Sequence, residues 1–195
     1  MMDKRARRRD CFARIKALTA AEKAAHSKAI ITSLSRDVTF ENAETIFAYI
    51  ALSGEPDLEE LFDESPQKKW AFSRVNQGGH LQFHYVTSRD QLRRGDFGIY
   101  EPDPDICPAA KPENTNLIVI PGVSFDPVTG ARLGRGKGHY DRYLDQFTQL
   151  PPLVGICFST QLSSLEPETH DVPMDVLVTE VERHSGWHNS ASSTD

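Results

Sequence analysis

The sequence has few cysteines and no long hydrophobic stretch, and both absences limit the kinds of protein it can encode. Its three cysteines, Cys11, Cys107 and Cys157, lie far apart without a Cys-x-x-Cys spacing, so neither a disulfide framework nor a zinc knuckle is expected. No apolar run approaches the about 20 residues of a membrane span, and the amino terminus lacks the apolar segment of a secretory signal. We therefore expect a protein of the reducing cytoplasm that does not bind membranes.

Length and composition are those of an ordinary globular protein. The chain has 195 residues, of which 38% are hydrophobic and 26% are charged, which suits one domain with its own core. We expect a single monomeric domain over residues 1–195. Residues 184–195 are poor in hydrophobic side chains, and we expect them to form a flexible tail.

Charge is distributed unevenly along the chain. The net charge is −6, yet residues 1–36 carry +7 and the remainder carries −13. Such a basic arm could bind nucleic acid. It could equally be a solvated helix face that supplies one or two cations to a phosphate within the same protein. We favour the second interpretation and expect no nucleic-acid partner, because the rest of the chain is so acidic.

Strands alternate with helices along the chain. Residues 4–34 contain no glycine or proline, and their helical periodicity with a Thr19/Glu22 capping-box pattern predicts two helices divided near residue 18. Apolar runs at 116–120 and 153–158 are typical of strands buried on both faces. Further strands are predicted at 45–52, 68–75, 81–86 and 175–180, and helices at 56–65, 139–147 and, more weakly, 161–165. This order predicts an α/β fold, a three-layer αβα structure with a mixed, mostly parallel sheet and an N-terminal helical arm.

The segment RLGRGKGHYDRYL, residues 132–144, combines glycines with cations. Gly134, Gly136 and Gly138 allow the backbone to approach an anion closely, and the following helix directs its first N–H groups toward it. Three cations accompany them and can pair with phosphate: Arg132, Arg135 and Lys137. The spacing matches neither a Walker A loop nor a dinucleotide fingerprint. The pattern alone fits either an anion site, which we favour, or an exposed hairpin tip.

Two carboxylates flank this loop. Asp126 precedes it and Asp141 follows it. Either could hold Mg²⁺, which commonly takes one or two carboxylates together with phosphate oxygens. Asp141 could also be an exposed helical carboxylate beside Arg142.

A longer stretch, PGVSFDPVTGARLGRGKGHYDRYL, resembles the signature of the 5-formyltetrahydrofolate cyclo-ligase family. Other segments resemble that family in the same order: Lys4 and Arg8 at the first helix, IFAYIALSGEPDLEEL, FGIYEP, and HDVPMDVLVTE. The resemblance thus touches nearly the whole chain. His139 departs from the usual Tyr-Tyr-Asp, and we expect it to alter ligand contacts. Ser73 stands where proline is common, and we expect it to affect only a strand edge.

The resemblance implies ATP- and Mg²⁺-dependent cyclisation of 5-formyltetrahydrofolate, with or without a polyglutamate tail, to 5,10-methenyltetrahydrofolate, ADP and phosphate. It implies ATP contacts from Lys4, Arg8, Arg132, Leu133, Gly134, Arg135, Gly136, Lys137, Gly138, His139 and Tyr140. It implies folate contacts from Ile50, Glu55, Arg135, Gly136, Lys137, Gly138 and His139. Arg135, Lys137 and Tyr140 would act in catalysis, and Asp141 and Asp171 would hold Mg²⁺.

Two other functions stay open at this point. The chain could be a relative that keeps the ATP loop and takes a different substrate, or a nucleic-acid-binding module that uses the basic amino terminus. Glu55, Lys137 and Asp141 favour the cyclo-ligase over the first of these, while His139 keeps the question open.

Overall fold

The computed structural model describes residues 3–95, 99–166, 168 and 171–187. Its α-helices are α1 (Lys4–Ala17), α2 (Ala20–Ser35), α3 (Val38–Asn42), α4 (Glu59–Glu64) and α5 (His139–Leu144). Its strands are β1 (Thr45–Ala48), β2 (Lys69–Val75), β3 (Leu81–Val86), β4 (Leu92–Arg94), β5 (Tyr100–Pro102), β6 (Ala109–Ala110), β7 (Leu117–Pro121), β8 (Ser124–Phe125), β9 (Arg132–Leu133), β10 (Leu153–Ile156), β11 (Val176–Val178) and β12 (Arg183–Ser185). Short 3₁₀ turns lie at Arg89–Gln91, Pro112–Asn114 and Ser159–Gln161.

Eight of the strands form one mixed sheet in the order β12-β11-β10-β7-β1-β2-β3-β6. The five strands from β11 to β2 pair in parallel. Antiparallel pairs extend the sheet at both sides, through β12 on one and through β3 and β6 on the other. Two hairpins, β4–β5 and β8–β9, lie outside it. The predicted mixed, mostly parallel sheet is confirmed.

Helices cover both faces of this sheet, which gives the three predicted layers. On one face, Ile30 and Leu34 of α2 and Leu61 of α4 pack on sheet residues in a single core cluster. On the opposite face, Tyr143 and Leu144 of α5 pack in a second cluster. Strands β7 and β10 are buried along their whole length, as their uninterrupted apolar sequences predict.

The division between the first two helices occurs where the sequence predicts it. The Thr19 hydroxyl accepts a hydrogen bond from the Glu22 N–H, and the Glu22 carboxylate accepts one from the Thr19 N–H, which completes the capping box. The two orphan N–H groups that the box satisfies mark the first turn of α2. Helix α4 begins at Glu59, three residues later than predicted position 56, and a 3₁₀ turn stands in place of the weak helix at 161–165.

The basic helix α1 lies against the rest of the protein. Cys11 and Ile15 are buried against Val123. Arg8 Nε donates to the Gly134 carbonyl at 2.8 Å, and Arg7 and Arg14 donate to the carbonyls of Ser164 and Thr160. These arginines therefore bind backbone oxygens of their own chain. Neither interpretation of the basic arm, as a nucleic-acid surface or as a solvated helix face, had included this role.

The described part of the chain extends to residue 187, into the segment that the sequence predicts to be a flexible tail. His184 and Ser185 belong to β12 and pair with Leu177 and Val176. Trp187 Nε1 donates to the Pro127 carbonyl at 3.3 Å. Residues 188–195 lie outside the described part of the chain. Among the helices that are described, none is both long enough and apolar enough to cross a membrane.

Candidate active site

Ile50, Glu55 and the glycine-rich segment follow the carboxyl ends of two neighbouring parallel strands, β1 and β7. The chain proceeds from β1 to β2 on one side, while β7 pairs with β1 on the other, so the sheet changes its winding direction between them. Ligands of open α/β sheets bind at such a point. The loop after β1 carries Ile50 and Glu55, and the chain after β7 carries the glycine-rich segment.

Arg135 of the glycine-rich segment forms an ion pair with Glu55. Its Nε and Nη2 atoms lie 3.1 Å and 3.0 Å from Glu55 Oε1. Glu55 Oε2 accepts a hydrogen bond from the Leu52 N–H at 3.0 Å. The Glu55 side chain is only 7% exposed whereas that of Arg135 is 42% exposed. The Glu55 carboxylate is therefore held in place and nearly buried, whereas the Arg135 guanidinium that it pairs with is accessible to solvent.

Tyr140 presents a buried hydroxyl next to this pair. Among the described residues this hydroxyl has no hydrogen-bond partner. Burial raises the pKa of Tyr140 above its ordinary value; nearby Ser73 and Arg132 lower it, and Glu55 adds to the rise. The Arg132 guanidinium lies 5.6 Å from the centre of the Tyr140 ring. At neutral pH the hydroxyl therefore keeps its proton and can donate it to a ligand.

Ser73, which the sequence assigns only to a strand edge, lies on the face of β2 that is directed toward the cluster with Tyr140. It lies on β2 and shares its face of the strand with Ala71, which packs in the same cluster as Tyr140. Ser73 is also among the groups that lower the pKa of Tyr140.

The glycine-rich loop takes backbone conformations that favour glycine. Gly136 and Gly138 have φ of 94° and 63°, in the left-handed region that other residues rarely adopt. A Cβ on Gly136 would lie 3.4 Å from Arg8 Cζ, so α1 packs closely on the loop. The loop follows β9 and is not the tip of the β8–β9 hairpin, which removes the hairpin-tip interpretation.

A cavity of about 380 Å³ opens beside this loop. The first turn of α1 borders it with Lys4 and Arg7, and Arg132 borders it from β9. No acidic residue occupies that first turn, so the positive end of the helix dipole adds to these cations. The other lining residues are Asp3, Ala131, Leu133, Leu165, Glu166, Glu168 and Asp171. Three cations and a helix amino terminus suit a polyanion such as a nucleotide phosphate chain.

The carboxylates proposed for Mg²⁺ are distributed around this cavity. Asp171 lines it, and Asp141 is ion-paired with Arg132, not with Arg142. No group of three or more His, Cys, Asp or Glu side chains that could hold a metal occurs among the described residues. Two hard oxygen donors fit a Mg²⁺ ion that is bound together with phosphates better than a closed all-protein cage.

Asp126, the other candidate for the metal, has a structural role. It is buried, and its carboxylate accepts hydrogen bonds from the N–H groups of Val128 at 2.7 Å and Leu165 at 2.8 Å. Both of its carboxylate oxygens therefore act as acceptors that stabilise the β8–β9 turn and the chain near Leu165.

The remaining predicted residues surround the same region. Ile50 packs on the first core cluster, and the Lys137 side chain is exposed while its carbonyl accepts from Arg142 Nη1 at 2.9 Å. His139 is half-buried and Arg142 Nη2 lies 3.3 Å from its Nδ1. Burial lowers the pKa of His139, and Arg142 and Lys137 add to the effect. Phe97 and His170, within the segments that resemble the family, lie outside the described residues.

Sequence reasoning assigned no site role to three residues that border the site: Arg7, Ser73 and Glu168. Arg7 could have been found from its spacing, since it lies three residues after Lys4 and therefore on the same face of α1. Glu168 could not, because only the fold shows that its carboxylate lies 2.7 Å from Lys4 Nζ.

Comparison with known proteins agrees with this geometry. The model of the 5-formyltetrahydrofolate cyclo-ligase family matches residues 1–180. The 5-formyltetrahydrofolate cyclo-ligase of Saccharomyces cerevisiae is 38% identical over 109 residues, which are 51% of this chain and half of that protein. The mouse enzyme of the same name is 28% identical over 91% of this chain and 93% of its own length.

Solved structures lead to the same family. The NMR structure of 5,10-methenyltetrahydrofolate synthetase from Aquifex aeolicus superposes with a TM-score of 0.83 at 32% identity, covering 100% of this chain and 97% of that one. The synthetase of Mycoplasma pneumoniae, at 24% identity and a TM-score of 0.75 over 92% of this chain and 99% of that one, shares the fold. From the match over residues 1–180 and the superposition of the whole chain, the protein belongs to the 5-formyltetrahydrofolate cyclo-ligase family.

Proposed function

We propose that this protein uses ATP to convert 5-formyltetrahydrofolate to 5,10-methenyltetrahydrofolate, with release of ADP and phosphate. The observation that carries the proposal is that two unlike subsites adjoin the same segment of the chain. A cavity that presents the cations Lys4, Arg7 and Arg132 is bordered by residues 131–133, which lead into the glycine-rich loop, and the nearly buried carboxylate of Glu55 is held by Arg135 of that loop. A phosphate chain and a ring with N–H donors are complementary to these two subsites.

The reaction requires that a poor leaving group be activated. The formyl oxygen attacks the γ-phosphorus of ATP, the bond between that phosphorus and the ADP oxygen breaks, and an iminium phosphate forms at N5. N10 then attacks the formyl carbon and loses its proton. Phosphate departs with the former formyl oxygen, which leaves the methenyl bridge between N5 and N10. The protein must align the reactants, neutralise the phosphates and exclude water.

The cavity beside α1 offers three cations to the phosphates of the nucleotide. Lys4 and Arg7 extend from the first turn of α1, and Arg132 extends from β9. Arg132 is only 8% exposed and is held by Asp141 and by the Tyr140 ring, so its guanidinium is oriented before a ligand binds. Mg²⁺, held by Asp141 and Asp171, would neutralise further charge on the phosphates.

The subsite at Glu55 is suited to the folate. Glu55 would accept hydrogen bonds from the amino and N–H groups of the pterin ring, and Ile50 would contribute an apolar contact. Arg135 and Lys137 are exposed cations of the glycine-rich loop, and they would neutralise the charge that moves from ATP to the formyl oxygen. Tyr140 would donate its proton-bearing hydroxyl to the bound ligands.

The decisive experiment mixes purified protein with 5-formyltetrahydrofolate, ATP and Mg²⁺ and follows the ultraviolet absorbance of the methenyl product. The Lys137→Ala variant should lose most of the activity, because it removes the exposed cation of the loop. Lys28→Ala is the matched control, since Lys28 is an exposed lysine on α2 paired with Glu60. A reaction without ATP completes the set.

Product that depends on both ATP and Lys137 would support the proposal. If the folded protein bound ATP but formed no product, the chain would instead be a family member with another substrate. Equal activity in Lys137→Ala and Lys28→Ala would contradict the role given to the glycine-rich loop.

A further inference from the structure

We propose that Glu168 is a determinant of nucleotide affinity, a carboxylate of the protein that competes with the ATP phosphates for Lys4. This inference rests on the proposed function and adds to it a residue that opposes binding. Its basis is the contact between the first turn of α1 and the segment that precedes β11.

The competition follows from a direct ion pair. Glu168 Oε1 lies 2.7 Å from Lys4 Nζ, and both side chains line the 380 Å³ cavity. Lys4 is therefore already engaged by an anion before any phosphate binds. The two side chains are 43% and 48% exposed, so the pair is well solvated and costs little to separate. A phosphate chain, with its higher charge, can displace the carboxylate.

The backbone of Glu168 is held by Asp171. The Glu168 N–H donates to Asp171 Oδ2 at 2.8 Å, and the Asp171 N–H donates to the Glu168 carbonyl at 3.0 Å. These contacts fix the backbone from which the Glu168 side chain reaches Lys4, so the side chain alone can be displaced by a phosphate.

The charge balance of the cavity makes this competition significant. Besides Glu168, the carboxylates of Asp3, Glu166 and Asp171 line the cavity against the three cations Lys4, Arg7 and Arg132. Each negative charge near the phosphates lowers the affinity for ATP, but the side chain of Glu168 also forms an ion pair with one particular cation, Lys4. Removing this carboxylate should therefore have a larger effect than removing Glu166, which changes the charge of the same cavity equally.

The test is a calorimetric titration of ATP, and separately of inorganic tripolyphosphate, into the full-length protein and its Glu168→Gln and Glu166→Gln variants without Mg²⁺. Glutamine keeps the size of the side chain and removes its charge. We expect Glu168→Gln to lower the Kd of both ligands by about two- to fivefold, as the loss of an exposed ion pair allows. Glu166→Gln should change Kd by less than about twofold. Tripolyphosphate reports the phosphate contacts without the nucleoside.

The same titrations in a Lys4→Met protein separate competition for Lys4 from the general effect of a negative charge in the cavity. In Lys4→Met protein, Glu168→Gln should no longer tighten binding beyond the Glu166→Gln control. Equal effects of Glu168→Gln with and without Lys4, or equal effects of the two glutamine variants, would overturn the inference. If the wild-type protein forms methenyl product and Glu168→Gln leaves Kd unchanged, this inference fails while the proposed function stands. If the wild-type protein binds neither ATP nor tripolyphosphate, both fail.

Discussion

Arg135 and Glu55 are 80 residues apart in the chain, yet Arg135 Nε and Nη2 both contact the same carboxylate oxygen of Glu55, at 3.1 Å and 3.0 Å. The other oxygen of Glu55 is held by the Leu52 N–H. This pair joins the loop after β1 to the glycine-rich loop. Each partner neutralises the other, so a ligand that binds Glu55 in place of Arg135 leaves the guanidinium of the glycine-rich loop available to an anion.

Glu55→Gln should raise the KM for 5-formyltetrahydrofolate by about 10- to 100-fold, since hydrogen bonds to a charged group contribute about 1.5–3 kcal/mol. The KM for ATP should change much less. The measurement is a pair of steady-state titrations that follow the methenyl product. Glu60→Gln, an exposed carboxylate on α4, is the control, and an unchanged folate KM in Glu55→Gln would remove Glu55 from the folate subsite.

Tyr140→Phe should lower kcat/KM by about three- to tenfold without loss of stability, because it removes a buried hydroxyl that lacks a protein partner. Tyr143→Phe is a close control. It removes another buried, unpartnered hydroxyl from the same helix, but Tyr143 packs in the core. Activity assays and thermal unfolding distinguish the two. Loss of stability in Tyr140→Phe, or equal loss of activity in both variants, would contradict a ligand contact.

His139 should make stability depend on pH. Its pKa is lowered in the folded protein, first by burial and then by Arg142 and Lys137. Around and below its ordinary value of 6.5, the unfolded chain therefore binds more protons than the folded one, and stability falls as pH decreases. Well above pH 6.5, His139 is neutral in both the folded and the unfolded state, so it no longer makes stability depend on pH. Urea unfolding at several pH values between about 5 and 8 should give a shallower decrease for His139→Tyr than for the wild type. Parallel curves would contradict the prediction.

Gln161→Leu should destabilise the protein by about 2–5 kcal/mol, because it leaves several buried backbone groups without partners. Gln161 is fully buried; its Nε2 donates to the carbonyls of Gly122 and Val123, and its Oε1 accepts from the Phe158 N–H. Urea denaturation gives the free energy of unfolding. Gln146→Leu, at an exposed position, should have little effect. A similarly small loss of stability in Gln161→Leu would contradict the stabilising role given to the Gln161 hydrogen bonds.

The sequence predicts the long elements well and the short ones poorly. The capping box at Thr19 and the apolar runs of β7 and β10 lie within continuous local patterns, so helix and strand could be recognised from periodicity. Strands of two or three residues, such as β6 and β9, contain too few residues to show a period. They exist because neighbouring strands offer hydrogen-bond partners.

Some features of the candidate site could be predicted from the sequence and others could not. Anion binding by the glycine-rich segment could be predicted from its own residues, and its proposed role with folate rests on the family resemblance. Contacts over long distances in the chain could not be predicted. Ser73 looked like a strand-edge residue because nothing local indicates that Tyr140 packs on its face of β2.

Helix α1 contacts the glycine-rich loop and two further segments of the chain. Arg8 binds the Gly134 carbonyl, Cys11 Sγ lies 2.6 Å from the Val123 carbonyl, and Arg14 binds the Thr160 carbonyl. Yet α1 buries only Cys11 and Ile15, whereas α2 buries four residues. Detachment of α1 is therefore a local opening that costs less free energy than global unfolding. As denaturant rises, amide protection in residues 4–17 and catalytic turnover should disappear together while the central sheet still resists hydrogen exchange.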